Sequence, residues 1–310
     1  MSWNINSLRR IAFVAALALG PALTPAPALS QAVISTGDSF VRFSLLTGRS
    51  EPDGTRMAGL MAEVAPEWKT YWRHPGGAGV PPQFDWSGSR NLATVEVLWP
   101  RPHVFESFGM TTLGYSGRVV FPVRLEPERP DQPIEIDVKV AVGICRDICV
   151  LEETAVQARI APDAPDEGGA LIAAAEAAVP RPGAEQGLVR ATCRISGAGT
   201  ERRFDAVLDF SRPLQDPMVV LEAPALAWFS GVETTATPGA GPESSHIEVA
   251  AALSLADGST WIDRSDVRMT VLTGGFAADV QGCAAPTGDP PASFRQVRNR
   301  RRPRAALFRR

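Results

Sequence analysis

Short runs of alternating apolar and polar residues, each closed by glycine or proline, restrict most of this chain to β-structure. Residues 40–45, 94–98, 118–125 and 134–140 follow the pattern in the first half; 188–192, 204–210, 218–221, 246–249 and 267–272 follow it in the second. Period-two alternation gives a strand one apolar and one polar face, and strands at such short spacing pack as sandwiches of roughly 100 residues. The pattern breaks at 163–186, where alanine-rich 170–178 lies between Pro165 and Pro180 and predicts one short helix. The fold expected is therefore all-β: one β-sandwich over 33–162, a linker with a single helix, and a second, smaller sandwich over 187–286. A length of 310 residues with 45% apolar side chains suits two such units with real cores.

The ends of the chain read differently. Arg9-Arg10 precede an apolar run from Ile11 to Gly20, and small residues at Ser30 and Ala32 follow a proline-broken stretch. That is the pattern of a secretory leader cleaved near Ala32, too short in its apolar part to span a bilayer. It places the rest of the chain in the periplasm, where disulfides form. Residues 287–310 read as a basic, disordered tail with Arg300-Arg301-Arg302 and further arginines. Removing the two leader arginines and the net seven positive charges of the tail from the formal −3 leaves the body near −12. An acidic body argues against nucleic acid as a partner, whereas the tail offers contact with an anionic membrane surface or simply a solvated terminus.

Four cysteines allow three pairings. Cys193 opens the second β-region and Cys283 closes it, which ranks this pair as a structural staple; by the chain-entropy model a loop of that size stabilises by roughly 4–5 kcal/mol. Cys145 and Cys149 sit four apart in Gly143-Ile144-Cys145-Arg146-Asp147-Ile148-Cys149. On a straight strand they would be about 13 Å apart, so pairing them requires a turn at Arg146-Asp147-Ile148. So small a ring constrains the unfolded chain little, which leaves a plain hairpin staple or a reversible redox couple, with Arg146 placed to favour a thiolate.

Three separated motifs carry a resemblance: Trp68-Lys69-Thr70-Tyr71-Trp72 running into Pro75-Gly76-Gly77-Ala78-Gly79-Val80-Pro81-Pro82, then Gly114-Tyr115-Ser116-Gly117-Arg118, then the Cys145–Cys149 stretch. In this order the chain resembles the N-terminal periplasmic domain of the thiol:disulfide interchange protein DsbD, and with its three-residue cysteine spacer the ScsB-like branch associated with copper tolerance. The resemblance implies an immunoglobulin-like fold and an electron-carrying Cys145–Cys149 pair, with Cys149 forming the mixed disulfide. It also implies a membrane-embedded thiol reductase as electron donor and periplasmic thioredoxin-like or disulfide-isomerase-like proteins as acceptors. It further implies an aromatic cap over the disulfide, for which Phe108 in Phe105-Glu106-Ser107-Phe108-Gly109 stands in the corresponding place; ordinary core packing is the other reading of that ring. Glu106 is placed for proton transfer or is a solvated carboxylate. The membrane helices and C-terminal thioredoxin-like domain of that family are not seen in the 310 residues, so either electrons are expected from a separate membrane protein or the chain is a shortened form of a longer one.

Other chemistries find little footing. Trp68, Tyr71 and Trp72 read as packing rather than as a ligand cage, and His74, His103 and His246 are scattered, so neither a metal site nor a cofactor is expected. There is no nucleophile elbow, phosphate-binding glycine loop or paired-carboxylate signature. Two rival functions stay open at this level: an envelope binding module in which both disulfides are structural, and a copper-handling protein that holds Cu(I) on the reduced Cys145 and Cys149 thiolates.

Overall fold

The computed structural model describes residues 32–33, 39–107, 109–224, 226–241, 243–257 and 262–287. Residues 1–31, which hold all but the last residue of the stretch read from sequence as a leader, lie outside them, as do Phe108 and the arginine-rich stretch from Gly288. Among the described residues no helix is long and apolar enough to cross a membrane.

The first half is built from β1 (Ala32–Val33), β2 (Val41–Ser50), β3 (Arg56–Val64), β4 (Lys69–Gly76), β5 (Gln83–Asp85), β6 (Thr94–Val97), β7 (His103–Ser107), β8 (Met110–Ser116), β9 (Arg118–Glu126), β10 (Ile134–Cys145) and β11 (Cys149–Ile160). One sheet runs β1-β11-β10-β4-β8-β7 with β5 also paired to β10, and the other runs β2-β3-β9-β6. Their facing sides are where the alternation leads: Ile134, Ile136, Val138, Val140 and Val142 of β10 point inward to meet Phe43, Leu60, Phe121 and Leu125, with Trp72 fully enclosed. Tyr115, Phe84 and Trp99 pack edge-on or tilted around Phe121, the geometry that aromatic quadrupoles favour.

The second half contains β12 (Arg181–Pro182), β13 (Leu188–Ala198), β14 (Glu201–Phe210), β15 (Met218–Glu222), β16 (Ala227–Pro238), β17 (Ser245–Leu255), β18 (Arg268–Leu272) and β19 (Ala277–Gln281). These make the sheets β12-β19-β18-β15 and β13-β14-β17-β16, closed over a core of Phe204, Leu208, Phe210, Ile247, Leu253 and Met269. The all-β expectation of two immunoglobulin-like sandwiches with one intervening helix holds.

The helix does more than connect. α1 (Gly169–Ala177) lies on the outer side of the β2-β3-β9 sheet and buries Ile172 there. The socket exists because β3 carries Gly59: a Cβ at that position would come within 2.9 Å of Ile172, closer than packed carbons approach. Arg49 of β2 clasps Glu176 through two hydrogen bonds.

The two halves are also packed together directly. Val220, Leu272 and Ala277 of the second half join the hydrophobic core of the first. Arg73 of β4 donates from Nε and Nη2 to both carboxylate oxygens of Glu222 on β15 at 2.8–3.2 Å, and from Nη2 to the buried Thr270 hydroxyl. Its guanidinium also lies 4.0 Å from the Trp72 ring centroid.

Candidate functional site

β10 and β11 form a long hairpin whose register places Cys145 directly opposite Cys149. The intervening Arg146-Asp147-Ile148 make the turn, closed by Arg146 N–H donating to the Ile148 carbonyl at 3.0 Å. Folding back brings the two Cα atoms to 4.1 Å and the disulfide forms, a separation close to that of an ordinary non-hydrogen-bonded cross-strand pair. Cys193 of β13 is bonded to Cys283, just past β19, and the same junction is zipped by Cys193 N–H to the Ala284 carbonyl and Ala284 N–H to the Ala191 carbonyl.

The two sulfurs of the hairpin pair are not equivalent. Cys145 is 3% exposed, whereas Cys149 faces solvent. Cys145 also has a partner: the Tyr71 hydroxyl donates to its Sγ at 2.8 Å, while Cys149 Sγ lies 3.8 Å from the same oxygen.

Tyr71 reaches the sulfur because β4 splits by the period of two. Trp68 and Trp72 face the core, and Lys69, the register partner of Cys145, shares the opposite face with Tyr71. That face is roofed by the glycine- and proline-rich loop after β4. Gly79, at φ +118°, lies flat against the Tyr71 ring, where a Cβ would fall 2.2 Å from a ring carbon, so only glycine fits. The enclosed phenol is pushed up in pKa by desolvation, and burial pushes Lys69 down.

Beside exposed Cys149 two apolar side chains face solvent, among the charged Arg146, Asp147 and Glu153. Ile148 at the turn is 65% exposed and Leu151 is 60% exposed. Val80 of the roof loop lies over Gly143, which is the register partner of Leu151. Arg146 sends its guanidinium over the Trp68 ring, at 5.3 Å, and toward Glu67 and Asp147.

The other residues singled out from sequence fall as follows. Glu106 is exposed on β7 and accepts a hydrogen bond from Thr111 across the β7–β8 hairpin at 2.7 Å. Phe108 lies outside the described residues. On the same hairpin the Phe105 ring lies 5.0 Å from Lys69 Nζ; that ammonium also donates to Thr112. His74 sits between the halves with its imidazole pushed down by burial, and His246 is held by Asp209 at 2.6 Å. Among the described residues no group of three or more His, Cys, Asp or Glu converges. Tyr71, Lys69 and the loop 76–82 are what the sequence reading assigned to packing or to a motif without a role. The available signal was that Tyr71 falls out of phase with Trp68 and Trp72, on a face turned away from the core.

Comparison with known proteins follows the same lines. Residues 38–160 match the family model described as thiol:disulfide interchange protein DsbD, N-terminal. No curated protein matches the chain. Among solved structures, the crystal structure of the N-terminal periplasmic domain of ScsB from Proteus mirabilis is similar with a TM-score of 0.61 and 20% identity, covering 82% of this chain and 97% of that one. At that identity the likeness concerns the fold. Residues 38–160 are thus similar in sequence to the DsbD N-terminal domain, and the chain shares its two-sandwich fold with the periplasmic domain of ScsB.

Proposed function

We propose that this chain is a periplasmic thiol–disulfide exchange module, taking electrons from a membrane-embedded thiol reductase and passing them to thioredoxin-like or disulfide-isomerase-like proteins. The observation that carries the reading is the hairpin disulfide with one sulfur enclosed and one presented to solvent beside exposed Ile148 and Leu151. A staple gains nothing from that asymmetry, whereas exchange needs one sulfur that a partner can reach. The leader pattern and the periplasmic domain of similar fold support the compartment.

The exchange balances without further reagents. In the reduced protein the Cys149 thiolate attacks an acceptor disulfide, forming a mixed disulfide and releasing one acceptor thiolate. The Cys145 thiolate then attacks Cys149 Sγ, the mixed bond breaks, and the second acceptor thiol departs as the internal disulfide re-forms. Two electrons pass to the acceptor, and its two thiolates take up the two protons that the chain's thiols lose. A redox titration of the leaderless protein, with alkylation and mass spectrometry reading each cysteine pair, tests this. The reading expects Cys145–Cys149 to equilibrate clearly above about −300 mV while Cys193–Cys283 stays oxidised. Equal resistance of both pairs to reduction would overturn it in favour of a binding module.

A further inference from the structure

We infer that Tyr71 is the hydrogen-bond donor that stabilises the Cys145 thiolate each time the hairpin disulfide opens. The inference deepens the exchange reading and rests on it for its biological meaning, but its chemistry is local. When a donor thiolate attacks the accessible Cys149 Sγ, the Sγ–Sγ bond breaks and its electron pair stays on Cys145 Sγ. That sulfur is buried, so water cannot solvate the charge. The Tyr71 O–H is already aimed at it from 2.8 Å, and a hydrogen bond to an anionic acceptor is about twice as strong as one to a neutral acceptor. The donor's second thiolate then displaces Cys149 from the mixed disulfide, and the donor leaves oxidised.

The alternatives for charge stabilisation are engaged elsewhere. The charged groups nearest Cys145 are Lys69 on β4 and Arg146 in the turn, with Glu67 and Asp147 beside the latter. Lys69 Nζ donates to Thr112 Oγ1 and lies over Phe105, and Arg146 is shared between two carboxylates and the Trp68 face. The roof loop 76–82 carries no charge. Tyr71 is held in position by the Gly79 backbone across its ring, so the hydroxyl is pre-aimed rather than recruited.

The same contact fixes the order of events. A leaving group of lower pKa departs faster, so stabilising Cys145 directs incoming thiolates to Cys149 and makes Cys145 the sulfur that leaves and later resolves. Tyr71→Phe removes the oxygen alone and keeps the ring under Gly79. In that variant the pH midpoint for alkylation of reduced Cys145, read by mass spectrometry, is expected to rise by about one unit, a tenfold loss of thiolate at neutral pH. Opening of the disulfide by dithiothreitol is expected to slow several-fold while the melting curve stays that of a folded protein. A residue that merely packed would move neither the midpoint nor the opening rate. A folded Tyr71→Phe protein with an unchanged Cys145 midpoint and opening rate would overturn the inference. If instead both shift while the unaltered protein fails to reduce any disulfide acceptor, Tyr71 keeps this role and the exchange reading falls.

Discussion

Removing each disulfide in turn separates its contribution to stability from its chemistry, and the two should differ by more than a factor of two in the chain-entropy term. Cys193 and Cys283 are 90 residues apart, Cys145 and Cys149 only four. Cross-linking loops of these sizes lowers the entropy of the unfolded chain by amounts worth about 4.6 kcal/mol and about 2 kcal/mol at room temperature. Alanine pairs are the cleaner perturbation, because a serine at 193 would bury a hydroxyl beneath the second core. Cys193→Ala with Cys283→Ala is therefore expected to cost about 4–5 kcal/mol, enough to unfold a large fraction of second halves at 37 °C. Cys145→Ala with Cys149→Ala should cost about 3 kcal/mol, the loop term plus roughly 1 kcal/mol for the Tyr71 hydroxyl left without its sulfur acceptor. Urea titration followed by hydrogen exchange and mass spectrometry reads the halves separately and yields both figures. A near-pair variant losing as much as the far-pair variant, or more, would refute the loop argument and restore the hairpin bridge as a staple.

Three other outcomes are expected. A double-mutant cycle on Arg73→Met and Glu222→Gln should give a coupling of about 2–3 kcal/mol, since the pair is bidentate and its side chains are only 12% and 19% exposed; additive losses would show the halves to be held by apolar contact alone. Leu151→Glu should leave opening by dithiothreitol intact but slow exchange with a protein acceptor at least tenfold, by replacing an exposed apolar side chain two residues along the strand from Cys149 with a charge; equal slowing of both would point to damage at the hairpin itself. The hydrogen bond to Asp209, its largest influence, raises the His246 pKa above the ordinary histidine value, so the stabilisation is complete below that value and fades as pH rises through the raised one. Comparing the pH dependence of stability in the His246→Gln protein should show a loss under about 1 kcal/mol confined to the acidic side of that window.

What could be read from the sequence follows the range of the interaction involved. β10 announces itself because Ile134, Ile136, Val138 and Val140 alternate with charged or small residues and all four are buried. Its hairpin partner β11 is obscured, since Leu151 points to solvent while Val156 and Ile160 alone are deeply buried. β16 has the same difficulty: it is an edge strand with Trp228 and Val232 exposed and a bulge at Gly231, so no apolar face stands out. For α1 the alanine run between two prolines suffices to place a helix near 170–178, yet nothing local says that Ile172 will dock on Gly59, more than a hundred positions earlier.

The cysteines sharpen this distinction. Spacing alone ranks Cys193 with Cys283 and demands a turn between Cys145 and Cys149, because a covalent bond has a short and definite reach. It treats Cys145 and Cys149 as interchangeable, and the physical difference between them arrives from elsewhere. Tyr71, 74 positions upstream, supplies the hydroxyl; Gly79 supplies the flat backbone that holds the ring; and β4 pairs with β10 only at Lys69 and Cys145 before bending away. Residue types near a cysteine therefore suggest reactivity less well than the strand it is paired with. Arg146, adjacent in sequence, is tied to carboxylates, while the group that touches the sulfur is visible only once two strands are laid side by side.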